Sequence, residues 1–185
     1  MKYSILICII VLISCKSEDQ LRVENITSVV NALESNDDKK AYLESIFENH
    51  IDHRISETEA WNTHGRNSDE YNSLKDSHRK EDLILAEKIS VYLNTYGYPS
   101  IMKVGQKSAV IPIAHITYLG DKTLLEENYN YFYDAYVFKD IREDLFYDYL
   151  VTLLDLSYKE RRSLRSDYSQ AETIDILVDR AKNKN

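Results

Sequence analysis

Glycine and proline are scarce, at four and two in 185 residues. That is too few for the many tight turns of an all-β sandwich, and too few for a Gly-rich phosphate loop. Basic residues are outnumbered, 23 against 31 acidic, for a formal charge of −8. A nucleic-acid binder needs a basic stripe to neutralise phosphates, so no nucleic-acid partner is expected. There are two cysteines, Cys8 and Cys15, and no Gly-x-Ser-x-Gly or His-Glu-x-x-His run. Thiol catalysis, a cysteine-liganded metal and a nucleophile elbow are thereby excluded. No apolar run reaches the roughly 20 residues that a membrane-spanning helix takes. What is present is 43% hydrophobic and 29% charged, a composition between disorder and a membrane bundle. The length suits one domain.

The N-terminus reads as an address. Lys2 supplies a positive start, and Ile5 to Ile13 are nine apolar residues in a row, the length of a secretory h-region. Leu12-Ile13-Ser14-Cys15 follows and resembles the lipobox of bacterial lipoproteins. The resemblance implies cleavage before Cys15, diacylglycerol on its sulfur and acylation of its new amino group. Each buried methylene of such chains adds about 0.8 kcal/mol of membrane affinity. Cys8 lies in the segment removed, so the mature chain would hold one cysteine and no disulfide. Lys16-Ser17-Glu18-Asp19 resembles the surface-export signal of Bacteroidetes lipoproteins; a plain solvated tether is the other reading. The expected organisation is a signal peptide over 1–14, lipidated Cys15 with a tether over 15–20, and one helical domain over 21–182. The expected location is the outer membrane, with the outward leaflet as the finer expectation.

Helical spacing dominates the remainder. Leu21, Val23, Ile26, Val29, Val30 and Leu33 recur at threes and fours, with Asn36-Asp37-Asp38 as a turn after them. Tyr42, Leu43, Ile46, Phe47, His50 and Ile51 continue in a second helix running towards Trp61, and 62–69 reads as a loop. A third helix, from about Tyr71 to Tyr96, places Leu83, Ala86, Ile89, Leu93 and Tyr96 on one face, with Gly97 and Pro99 as its stop. Ala109 to Leu119 is apolar on most sides and should be central, with Pro112 near its start or bending it. Another helix over about 122–138 turns Leu125, Asn128, Phe132 and Ala135 inward. Leu145, Phe146, Tyr149, Leu150, Leu153 and Leu154 form the cleanest stripe in the chain. Ser169 to Glu172 is a capping box for the last helix, whose Ile174, Leu177 and Val178 face inward. The fold expected is all-α, six or seven helices packed as antiparallel hairpins.

A second resemblance runs from Tyr96 to Arg162. Tyr96-Gly97-Tyr98-Pro99-Ser100, Val104-Gly105, Pro112, Ala135-Tyr136, Asp140-Ile141, Tyr149-Leu150 and Arg161-Arg162 occur in that order. This resembles a bacterial family of secreted or lipid-anchored helical proteins with a Gly-(Trp/Tyr)-Pro turn before a His-bearing helix. The family has no agreed activity, so the resemblance implies a fold and a compartment. The chain departs from it where Thr117 and Tyr118 replace the histidines at the end of the buried helix, with His115 slightly early. Val151, Thr152 and Leu153 stand where an Arg usually follows the Tyr-Leu pair.

Three constellations are candidates for function. His115, among Ile111, Ile113, Ala114 and Ile116, is either a core histidine bonded to Asp82, Asp134 or a Tyr hydroxyl, or a general base in a pocket. His115 and Asp82 are therefore the candidate polar centre. His50 and His53, three apart on one helix face, are a weak metal pair that His64, His78 or Glu57 would have to complete; solvated surface histidines are the alternative. Fifteen tyrosines are the compositional oddity, and Tyr129, Tyr133 and Tyr136 share one side of a helix. They serve either as half-buried helix contacts or as a platform for a protein or glycan. The expected role is a lipid-anchored binding or accessory module without cofactor. The alternative is a small hydrolase or metal-dependent enzyme using His115 or the His50–His53 pair.

The anchor is directly testable. Cys15→Ser should abolish metabolic palmitate labelling and move the protein out of the membrane fraction; a variant that keeps the label is not anchored through Cys15.

Overall fold

Serine side chains open several of the helices. In the computed structural model, which describes residues 17–158 and 170–182, Ser17, Ser35, Ser68 and Ser100 each stand at an N-cap and accept a main-chain N–H of the turn they start. Asp121 does the same further on. The helices are α1 Glu18–Asn31, α2 Asn36–His64, α3 Asp69–Tyr96, α4 Ile101–Val104, α5 Gln106–Leu119, α6 Lys122–Val137, α7 Glu143–Tyr158 and α8 Gln170–Lys182. The fold is all-α, as the spacing implies, with no strand among the described residues. The described helices number eight rather than six or seven, because the short α4 is separate. The lipobox with Cys15, and Ser169 of the last capping box, lie outside the described residues.

One boundary and one inward face differ from expectation. Asn36-Asp37-Asp38 is the first turn of α2, not a turn after α1. Ser35 and Asp38 cap each other reciprocally there, and the acids sit at the positive end of the helix. On α3 the buried face runs through His78, Asp82, Leu85, Ile89 and Tyr92. Leu83 falls off that face and is 38% exposed, and the inward place expected for it belongs to Asp82.

The α5 helix is the hub, packing against α2, α3, α4, α6 and α7. Its Ala109, Ile113 and Ile116 are fully buried. Pro112 sits inside it and offers no N–H to the preceding turn. Nearby, Ser108 donates to Glu44 of α2 at 3.0 Å and the Tyr98 hydroxyl donates to the Ala109 carbonyl, so polar groups of this stretch are engaged by neighbouring elements. Gly105 and Gly120 bound α5 with φ of +83° and +57°. A side chain is strained at either, and at Gly120 a Cβ would also touch Leu156 at 3.5 Å.

The aromatic residues are used for packing. Phe132 and Tyr149 meet edge to face at 4.9 Å, and Tyr136 stacks on Phe146 at 4.5 Å. Tyr129 is buried and stacks on Tyr133. Tyr129, Tyr133 and Tyr136 therefore join α6 to the α7–α8 layer, Tyr129 buried and Tyr133 and Tyr136 half-buried. Lys182 caps this side by donating to the Tyr133 hydroxyl at 3.1 Å. The stripe on α7 is as expected: Phe146, Tyr149, Leu150, Leu153 and Leu154 are all buried. Among the described residues, no helix is long and apolar enough to cross a membrane.

The Tyr149 hydroxyl donates to the Leu125 carbonyl at 2.6 Å in the buried core. Tyr149→Phe should cost about 1 kcal/mol, one net hydrogen bond. Phe132→Ala should cost about 3–5 kcal/mol through the cavity it leaves. Urea unfolding reads both; a Tyr149→Phe variant as stable as the parent would mean that the hydroxyl bond contributes nothing net.

Candidate functional site

A polar stripe on α2 faces a polar stripe on α3, and α5 closes over both. On α2, His50, His53, Arg54 and Glu57 follow the i, i+3, i+4, i+7 spacing of one helix face. On α3, His78 and Asp82 are one turn apart and both are buried. From α5 comes His115, 5% exposed.

Asp82 is the centre, at 1% exposed. His50 Nδ1 and His53 Nδ1 donate to its Oδ1 at 3.2 and 3.0 Å. Arg54 donates to its Oδ2 at 3.0 Å. Burial pushes the carboxyl upward, but the bonds from His50 and His53, with the charges of His50 and Arg54, outweigh it and hold Asp82 at about 2. His53 turns its other nitrogen, Nε2, to Glu81 at 2.9 Å. Arg54 also bonds Glu57 at 2.8 Å and the Tyr118 hydroxyl, and Glu57 accepts from His78 at 3.2 Å. His53 and His78 stack at 4.5 Å.

His115 meets Asp82 differently from expectation. Its Nε2 donates to the main-chain carbonyl of Asp82 at 2.9 Å, not to the carboxylate. That bond places the proton on Nε2 and leaves the lone pair on Nδ1. Burial holds the imidazole below its ordinary 6.5, against the opposing pull of the Asp82 carbonyl. His50 packs edge-on against both His115, at 5.0 Å, and Tyr118, at 4.7 Å.

The two histidine readings thus converge on one site. His50 and His53 are largely enclosed, with side chains 14% and 12% exposed, rather than solvated. Among the ligands considered for them, His78 and Glu57 are in the network while His64 is exposed at the far end of α2. Donor atoms of His50, Asp82 and His115 lie within 4.8 Å of one another, close enough that they could converge on one cation. Arg54 and Tyr118 were not picked out from sequence. Arg54 had a signal, since it completes the α2 stripe begun by His50 and His53; Tyr118 had two, its place one turn beyond His115 and its position where the resembled family carries histidine.

Beside this network lies a cavity of about 450 Å³ between α2 and α5. Phe47 and Ile51 form one wall, and Val110, Ile111 and Ala114 the other. His50, His115 and Tyr118 line its polar edge, and Lys107 stands at it over the Phe47 ring. The volume lies in the range of small-molecule pockets.

Two consequences follow for stability in metal-free buffer. Asp82, held below its unfolded value, contributes stability above pH ~4 that is lost as pH falls towards 2. His115, held below 6.5, is protonated more readily in the unfolded chain, so stability declines as pH falls through 6.5. His115→Ala should cost about 1–3 kcal/mol by stranding the Asp82 carbonyl. His115→Gln should recover part of that and flatten the curve between pH 7 and 5. Thermal melts across pH check both; a curve unchanged by His115→Gln assigns the decline to another group.

Compared with protein-family models, curated proteins and solved structures, the chain matches none.

Proposed function

We propose that this is a lipid-anchored protein of the bacterial cell envelope, held in the outer membrane through Cys15, whose helical domain binds a small amphipathic ligand. The observation that carries the reading is the cavity between α2 and α5, apolar on two walls and edged by His50, His115, Tyr118 and Lys107. An apolar body suits Phe47, Ile51, Val110 and Ala114, which offer no hydrogen bonds. A carboxylate or similar anionic group suits the edge, where the Lys107 ammonium and the Tyr118 hydroxyl offer donors. The sequence of charge, apolar run and Cys15 supports the anchor. Short connections between the packed pairs α2–α3 and α6–α7 support antiparallel hairpins as the arrangement that holds the cavity open.

The bonding of the histidines favours binding over hydrolysis. His50, His53 and His78 address carboxylates and His115 a main-chain carbonyl, so their N–H groups are spent on acceptors instead of activating a hydroxyl.

Ala114 is exposed on the cavity wall, so a larger side chain there fills the space without overpacking the core. The purified protein should bind an anionic naphthalene dye stoichiometrically, and Ala114→Trp should weaken that binding at least tenfold with an unchanged melting temperature. Dye binding indifferent to Ala114→Trp would place the ligand elsewhere and defeat the reading.

A further inference from the structure

We propose that His50, Asp82 and His115 form a binding site for one divalent transition-metal ion, with an open coordination position facing the cavity. Each ligand comes from a different helix, α2, α3 and α5, so the site exists only in the folded chain. The three donors lie within 4.8 Å of one another and would draw together around zinc. Bonds of 2.0–2.1 Å in a tetrahedron put ligand atoms about 3.3–3.4 Å apart. His50 Nδ1 and Asp82 Oδ1 are already 3.2 Å apart, at the length of that edge, and the metal would take the place of the proton they now share, which is released to solvent.

The surroundings are those a metal site requires. A ligating imidazole is oriented by a bond from its other nitrogen to a carbonyl or carboxylate. His115 has that bond: Nε2 donates to the Asp82 carbonyl, and Nδ1 keeps the lone pair a metal takes. Arg54 occupies Asp82 Oδ2, which leaves Oδ1 as a single donor oxygen. His53, the neighbour of His50 in the sequence pattern, is an orienting group and not a ligand. Its Nδ1 is on Asp82 and its Nε2 on Glu81. The carboxylates of Asp82 and Glu57 bind the guanidinium of Arg54 and that of Glu81 binds His53, and the three offset the charge that a dication adds.

Two imidazoles and one carboxylate with a free position form a donor set for zinc or ferrous iron, too nitrogen-rich for calcium or magnesium. Because His50 and His115 also line the cavity, the free position is where a ligand's carboxylate or carbonyl oxygen, or a water, would bind. The metal would then be the polar end of the pocket. The inference adds to the cavity reading without depending on it, since the three ligands stand whatever the cavity holds.

The purified protein, stripped with chelator and dialysed, is titrated with zinc alone, followed by calorimetry and elemental analysis. The expected result is one zinc per chain and a raised melting temperature. His50→Gln and His115→Gln should each weaken uptake at least 100-fold. His53→Gln should weaken it about tenfold, as loss of an orienting group does. His64→Gln, at an exposed histidine away from the site, should leave it unchanged. Circular dichroism establishes that each variant is folded. His50 lies at the cavity wall, so its variant carries the test where His115→Gln does not fold. A folded wild-type chain that takes up no zinc overturns the inference. So does one-to-one uptake surviving in His50→Gln, or lost in His64→Gln. Zinc binding without dye binding sustains this site and retires the cavity reading, and dye binding without zinc does the reverse.

Discussion

A carboxylate 1% exposed, Asp82, is the feature around which the arrangement of α2, α3 and α5 is organised. Removing a charged carboxylate from water costs several kcal/mol unless opposite charge and hydrogen bonds replace the lost hydration. Three donors from α2 do so here, two on one oxygen and one on the other. The main chain of the same residue accepts from His115, which draws α5 to the same point. Apolar faces such as Leu43 and Ile46 against Leu85 and Ile89 tolerate a slip between helices. A slip of one turn, about 5.4 Å, would strip Asp82 of every donor it has. The buried charge thus sets the register that the apolar contacts leave loose.

Tyrosine serves the backbone as much as the core. Tyr96 points its hydroxyl at the carbonyls of Val30, in the last turn of α1, and Leu33, just beyond it, at 2.7 and 3.0 Å. Tyr98 reaches Ala109 in the proline-bearing α5, and Tyr149 reaches Leu125 in α6. The end of α1 leaves carbonyls short of donors, while Ala109 and Leu125 lie within helices and take the phenol on their second lone pair, in each case from the tip of a ring that is otherwise apolar. A chain with four glycines has few ways to end helices by left-handed turns alone. Its many tyrosines supply donors from neighbouring elements instead.

The polar network and the cavity are two sides of one packing choice. Filling the space between α2 and α5 with aliphatic side chains would have pressed apolar groups on His50 and His115 and left their ring nitrogens without partners. With the imidazoles edge to face and Tyr118 beyond them, α2 and α5 hold a gap whose floor is polar and whose walls are not.

By itself the sequence determined the helical class and the inward faces of α6, α7 and α8, because period-3.6 spacing is local and survives without knowledge of neighbours. It also carried the α2 stripe of His50, His53 and Glu57 and the apolar setting of His115. It did not carry that these belong to one site. His50, Asp82 and His115 are 32 and 33 residues apart in sequence, and only the docking of three helices makes them neighbours. Leu83 and Asp82 show the same limit in one step of the chain: hydrophobicity put the leucine inside, whereas the donors waiting on α2 put the aspartate there. A charge is buried where partners from elsewhere meet it, and no local pattern records where those partners will be.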